Sequence, residues 1–243
     1  MSDTLYNLHK IILNPVLWGG KLVARQNLPK HGPAIFIANH MDAHGPIAIT
    51  CSLPMRMNYW VLAETMDRKL APAYMQKDLI ERQLHFKPPF SAWFARMLTG
   101  VSIPYLEAIG GIPVYHGEGN SNGLQKTLDM SIRCLKEGHY LAIFPENPSL
   151  PADPLTRMTP FMHSFVRLGE MFYKETGQCL DFYPMAVHPK KYVIVGKPST
   201  FNPLNPAPQE RQRLKRAMEA KIKQMYLLPD PQNWDGNLPE PQA

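Results

Sequence analysis

Between Lys21 and Val195, short runs of apolar and β-branched residues alternate with longer segments at helical spacing, and this alternation constrains the fold most. Residues 21–24, 34–38 (AIFIA), 58–63 (NYWVLA), 112–115, 140–144, 182–187 and 192–195 read as strands. Residues 45–53, with Pro46 in the first turn, read as a helix, as do 71–84, 124–137 (stopping at Gly138) and 161–176. Residues 90–99 are apolar and aromatic. Strands that alternate with helices pair largely in parallel, because a parallel neighbour needs a crossover long enough to hold a helix. The expected fold is α/β, a single domain with a mixed, largely parallel central sheet covered by helices. Its span is 21–200.

Two flanking pieces stand outside that alternation. In residues 1–20, Leu5, Leu8, Ile11, Ile12, Val16 and Leu17 recur on one helical face and end at Trp18. Such an amphipathic helix either seals a core or lies in a lipid interface. Residues 201–243 begin with prolines 203, 206 and 208 and continue as a helix over 209–227. That helix is basic, since Arg211, Arg213, Lys215, Arg216, Lys221 and Lys223 outnumber Glu210 and Glu219. The last fifteen residues read as a loose tail.

Of the 243 residues, 44% are hydrophobic and 19% charged, which excludes a disordered tail, a coiled coil or a collagen-like rod. Cys51, Cys134 and Cys179 lie far apart with no Cys-x-x-Cys pair, against a disulfide scaffold or a structural zinc site. The beginning of the chain carries an acid and a broken apolar pattern, unlike a secretory signal. The longest apolar stretch, 90–115, is interrupted by Arg96, Glu107 and two prolines, so no membrane span is expected. The net charge of +6 suits anionic partners.

The segment Asn39-His40-Met41-Asp42-Ala43-His44-Gly45 follows the 34–38 strand directly and precedes a helix. Loops at strand ends are where α/β proteins keep their sites. A histidine there can take the proton of a hydroxyl as it attacks an acyl carbonyl. His40, Asp42 and His44 would share one side of an extended segment, which also suits a divalent metal. Gly119-Asn120-Ser121-Asn122-Gly123 matches the Gly-x-Ser-x-Gly elbow of serine hydrolases, but the motif is short and a polar turn capping the next helix explains it better. Phe144-Pro145-Glu146-Asn147-Pro148 places a carboxylate at the end of the most apolar strand.

Taken in order, these pieces resemble the glycerophospholipid acyltransferase superfamily (PlsC-like) from about residue 22 to 199. Its Asn-His-x-x-x-x-Asp block corresponds to Asn39-His40, and its Gly-x-x-Phe-Val-x-Arg block to Gly110-Gly111-Ile112-Pro113-Val114-Tyr115-His116. Its Phe-Pro-Glu-Gly-Thr-Arg-Ser block corresponds to Phe144-Pro145-Glu146, and its Val-Pro-Val strand to 183–187. The motif aspartate falls on Gly45, the motif arginine on His116, and Gly-Thr-Arg-Ser on Asn147-Pro148-Ser149-Leu150. The resemblance implies the glycerol-phosphate-acyltransferase-like fold and an acyltransferase. His40 would be its general base, with Asp42 or Glu146 orienting the imidazole in place of the lost aspartate.

Asn39, His44, Gly110, Gly111, His116 and Asn147 are the expected substrate-binding residues. The amides near Gly110 and Gly111 are candidates for steadying an oxyanion, and Lys197 is a further acceptor contact. The expected partners are an acyl thioester donor, acyl-CoA or acyl-ACP, a lysolipid or glycerolipid acceptor, and an anionic membrane surface. No cofactor, no metal and no nucleic acid are called for. The corresponding location is cytoplasmic, peripheral on the inner face of the cytoplasmic membrane. Two alternatives remain open on the residues. One is a non-catalytic acyl- or lipid-binding member; the other is a metal-dependent hydrolase built on His40, Asp42 and His44.

Overall fold

A computed structural model of the chain describes residues 14, 18–41, 44–82, 84–115 and 121–238. The chain divides into two compact units, one taking in Asn58–Ser131 and the other the chain up to Met57 and from Ile132 onward. The second unit holds the sheet strands β1 (Lys21–Val23), β2 (Ala34–Ala38), β5 (Tyr140–Ile143), β6 (Asp181–His188), β7 (Tyr192–Val195) and β8 (Ser199–Thr200). Between β2 and β5 in the chain come β3 (Met57–Leu62) and β4 (Ile112–Val114), which pair in parallel with Trp60 opposite Ile112.

In the second unit β2 is central. It pairs in parallel with β5 on one side, Phe36 opposite Ala142, and in parallel with β6 on the other, Phe36 opposite Tyr183. Every residue of β2 is buried, so the strand reads as an unbroken apolar run with no polar face. Beyond β6 the sheet turns antiparallel to β7, which then pairs in parallel with β1, while β8 runs antiparallel on β6. The mixed, mostly parallel α/β architecture is the one the sequence pattern predicts.

Helix α1 (His44–Ser52) follows β2 with Pro46 in its first turn, as expected. Helices α2 (Ala63–Met66) and α3 (Ala71–Tyr74) come next. The segment predicted as one helix over 71–84 is α3 running without a break into a π-helical stretch, Met75–Glu81. The aromatic segment opens α4 (Phe90–Ala108), far longer than its apolar run because Pro104 is accommodated inside it. Helix α5 (Ser121–Lys136) ends at Gly138, whose φ of +81° is the left-handed conformation that glycine adopts without strain. Helix α6 (Arg167–Thr176) precedes β6, and α7 (Ala207–Tyr226) closes the series.

The basic helix α7 packs on β6 through buried Leu214, Met218, Ile222 and Met225, in the same unit as the sheet. Its first turn carries a fully buried carboxylate, Glu210. That carboxylate accepts the Asn202 amide at 2.8 Å, Asn205 Nδ2 at 2.6 Å and Arg213 Nε at 2.7 Å. Burial pushes the Glu210 pKa up, but Arg213 and the two asparagines together hold it below its ordinary value.

The expectation of a loose tail is corrected over the residues up to Leu238. Pro231 is buried, Tyr192 donates its hydroxyl to Gln232, and the side-chain amides of Gln26 and Asn27 donate to the carbonyls of Asp235 and Gly236. These contacts tie the segment to the unit that contains β1. Of the expected N-terminal helix over 1–20, only Asn14, Trp18, Gly19 and Gly20 fall within the described residues, and Trp18 is buried. No helix among the described residues is long and apolar enough to cross a membrane.

Candidate functional site

The buried strand β2 delivers Asn39 and His40 to the carboxyl edge of its sheet, where open α/β sheets bind ligands. Asn39 is 1% exposed, and its side chain behaves as one more residue of the ladder. Its Nδ2 donates to the Val187 carbonyl at 3.0 Å, and its Oδ1 accepts the Val187 amide at 2.7 Å. Both polar ends of Asn39 are therefore engaged with β6, and it fixes the exit of β2 against its neighbour.

His40 comes next and its side chain is exposed. The imidazole packs edge-on against Phe144, ring centroids 5.0 Å apart. Phe144 follows β5, so the two parallel neighbours set both the origin and one wall of the imidazole.

Glu146 reaches the same place but not by the expected contact. Its Oε1 accepts the backbone amide of His40 at 2.6 Å, and its Oε2 accepts the amide of Thr159 at 3.0 Å. The carboxylate thus clasps the backbone just after β2 and that of Thr159 in the segment before α6. The expectation that Glu146 orients the His40 ring is corrected: it orients the His40 main chain, and among the described residues no carboxylate bonds the ring. The chain around Glu146 is held as well. The segment 145–147 lies beside 160–162 as a short antiparallel pairing, with Met162 donating to the Pro145 carbonyl at 2.7 Å and Asn147 to the Pro160 carbonyl at 3.0 Å. The Asn147 side chain accepts the Ser149 amide at 3.1 Å, turning the loop that follows.

After His40 the backbone turns sharply. Met41 has a φ of +43°, in the left-handed region where a residue with a Cβ is strained. His44, exposed at the start of α1, donates its amide to Met41, and Gly45 donates to the His40 carbonyl at 2.9 Å. A Cβ on Gly45 would stand 2.2 Å from that same carbonyl oxygen. Position 45 suits glycine because the backbone folds back onto it.

Asp42 and His116, named from the sequence as an imidazole partner and an acceptor contact, lie outside the described residues. The metal reading built on His40, Asp42 and His44 shares that position. Gly110 and Gly111 belong to the other unit. Both of their amides already donate, to the Glu107 and Leu106 carbonyls at 3.1 and 2.8 Å, closing the end of α4. Lys197 follows β7, and its carbonyl accepts the Lys221 ammonium. Ser121, from the hydrolase-like elbow, is the first residue of α5.

Three participants escaped the sequence reading: Val187, Thr159 and Met41. The first two contribute only main-chain groups, which no residue type announces. The third is marked by its backbone angle alone. Phe144 was visible, as the apolar end of a strong strand, but not as the neighbour of an imidazole.

No family model matches the chain, and none of the curated proteins matches it. Among solved structures, the fold is similar to that of the 1-acyl-sn-glycerophosphate acyltransferase PlsC from Thermotoga maritima. The TM-score is 0.53 over 93% of this chain and 80% of that chain, at 12% sequence identity. At that identity the likeness is one of fold.

Proposed function

We propose that the protein is an acyltransferase that moves a fatty-acyl group from an acyl thioester, acyl-CoA or acyl-ACP, to a hydroxyl of a lysophospholipid or related glycerolipid. The observation that carries this reading is an exposed imidazole on a rigid mount at the carboxyl edge of a parallel sheet. Asn39 pins the backbone before His40 to β6, Glu146 grips the His40 amide, and Phe144 walls the ring. The similarity in fold to a 1-acyl-sn-glycerophosphate acyltransferase supports the same reaction class.

In the proposed step, a ring nitrogen of His40 accepts the acceptor's hydroxyl proton while that oxygen bonds to the thioester carbonyl. The tetrahedral intermediate collapses, the carbon–sulfur bond breaks, and the departing thiolate takes the proton back from the imidazolium. An ester and a free thiol leave, and the imidazole returns to its starting form. Holding the imidazole through its backbone preserves the geometry that proximity requires. The motif arginines of the resemblance correspond to His116 and Ser149 here, so acceptor binding would depend less on phosphate recognition.

The test is incubation of the purified protein with labelled acyl-CoA or acyl-ACP and a panel of lysolipids, with and without a phosphate head group. The expected result is an acylated lipid with matching thiol release for at least one pair. Absence of product from every pair would overturn the reading.

A second reading has its own observation. The Glu146 carboxylate lies on an amide and Gly45 leaves no space for another, so the imidazole lacks a carboxylate partner among the described residues. That arrangement favours a non-catalytic acyl- or lipid-binding protein. Saturable acyl-CoA binding with no thiol release would establish it.

A further inference from the structure

Helix α4 is amphipathic in reverse. The face it buries carries Ser91, Ala95, Thr99 and Ile103, three of them small or polar. Thr99 satisfies its hydroxyl on the Ala95 carbonyl at 3.0 Å, and Ser91 on Glu81 at 2.7 Å. The large apolar side chains point outward: Phe90 is 50% exposed, Trp93 59%, Met97 49% and Val101 70%. Their spacing of three and four residues makes one stripe about 16 Å long.

Phe86, at 40% exposure, extends the stripe beyond the helix start and packs edge-on against Phe90 and Phe94 at 5.3 and 6.0 Å. Phe90 in turn stacks on Phe94 at 5.9 Å and contacts Trp93 at 5.7 Å. The four rings thus form one cluster whose outer side faces solvent. A contiguous patch of this kind is rare on a soluble surface and marks an interaction site.

Charge selects the occupant. From residue 82 to 106 the chain contains Arg82, Lys87 and Arg96 and no carboxylate. Lys87 and Arg96 are both exposed beside the rings. The stripe is a ridge on a single helix, which suits a yielding planar surface, and Trp and Phe flanked by Lys and Arg are the side chains of a lipid interface. We propose that α4 is a membrane-docking helix that lies flat on an anionic bilayer. Phe86, Phe90, Trp93, Met97 and Val101 enter the acyl boundary, while Lys87 and Arg96 meet lipid phosphates. The docking stands independently of acyl transfer, because none of these residues belongs to the His40 site.

The test is flotation of the full chain with vesicles of phosphatidylcholine alone or mixed with phosphatidylglycerol. The wild type is expected to float with the mixed vesicles and to come off at high salt. The double variant Phe90→Ala/Trp93→Ala should lower partitioning by about tenfold or more, the loss of two interfacial aromatics. Lys87→Glu/Arg96→Glu should reduce binding to mixed vesicles selectively. Leu204→Ser, at a lone residue 90% exposed elsewhere, should leave flotation unchanged. Circular dichroism confirms that each variant is folded. A wild type that stays with the soluble fraction overturns the proposal. So does folded Phe90→Ala/Trp93→Ala protein that floats as the wild type does, which would place the contact on another segment or leave the ridge to a protein partner.

Discussion

The Glu146 carboxylate accepts the main-chain amide of His40 at 2.6 Å, so a glutamate at the end of one strand fixes the backbone of a histidine at the end of its neighbour. Its second oxygen does the same for Thr159. Hydrogen bonds from amides to an ionised acceptor are among the stronger ones in proteins. This clasp sets the direction in which the imidazole leaves the sheet while leaving both ring nitrogens outside the clasp.

Glu146→Ala removes both bonds and is expected to cost about 1 to 3 kcal/mol of stability. Glu146→Gln keeps one acceptor oxygen but turns an amide group toward an N–H, so it should recover only part of the loss. Denaturant unfolding checks the order wild type, Gln, Ala. Equal stability of wild type and alanine would contradict the clasp.

Asn39 is the more demanding position because it is buried and engaged in both directions. Asn39→Asp replaces the donor to the Val187 carbonyl with an acceptor, and Asn39→Ala leaves two buried main-chain groups of Val187 without partners. Each should cost about 2 to 4 kcal/mol, read as a lower urea midpoint at unchanged slope.

Placing an aspartate at position 45 should fail. With its Cβ 2.2 Å from the His40 carbonyl oxygen, Gly45→Asp cannot enter without moving the loop. Even Gly45→Ala is expected to destabilise by roughly 1 to 3 kcal/mol, as overpacking does. Gly45→Asp should therefore transfer acyl groups no faster than the parent. A gain of activity with normal stability would show that the loop adapts.

The stretches legible in the sequence were those where one physical demand dominates. The buried strand β2 and its exit into Asn39-His40 were plain, because a fully apolar run followed by polar residues has few other solutions. The meeting of His40 and Glu146 was implied by the resemblance to the acyltransferase superfamily. What it does was not, because a carboxylate bonding a ring and one bonding an amide look identical in a list of residues. The docking of residues 231–236 was invisible for a related reason: Gln26 and Asn27 hold main-chain carbonyls, and no periodicity records that. The length of α4 was missed because Arg96, Gly100 and Pro104 interrupt the apolar pattern of a helix whose larger side chains face outward.

Acid should weaken the fold in two windows. Burial, aided by Lys190, pushes the His188 pKa below its ordinary 6.5, against an opposite pull from the Leu228 and Tyr226 carbonyls. Its Nδ1 accepts the Lys190 amide at 3.1 Å, which requires the neutral ring. The unfolded chain binds the proton first, so this stability is complete above pH 6.5 and is lost as pH falls through the lower folded value. Glu210, held below its ordinary 4.5 although burial opposes this, gives a second loss further down. Unfolding free energy measured against pH should show both limbs, His188→Gln flattening the upper and Glu210→Gln reducing the lower, to which Glu170, held down by Arg211, also contributes. An upper limb unchanged in His188→Gln would assign it to another group.

The exposed imidazole is the centre of the account, and His40→Ala tests it most directly. The Glu146 clasp holds the main chain at this position, so the variant should keep its unfolding midpoint within experimental error while the chemistry is lost. With the acceptor on which the wild type is active, the predicted rate of thioester-dependent acylation falls by about 10² to 10⁴-fold, the range for removing a general base. Acylation by folded His40→Ala at the wild-type rate would contradict the account.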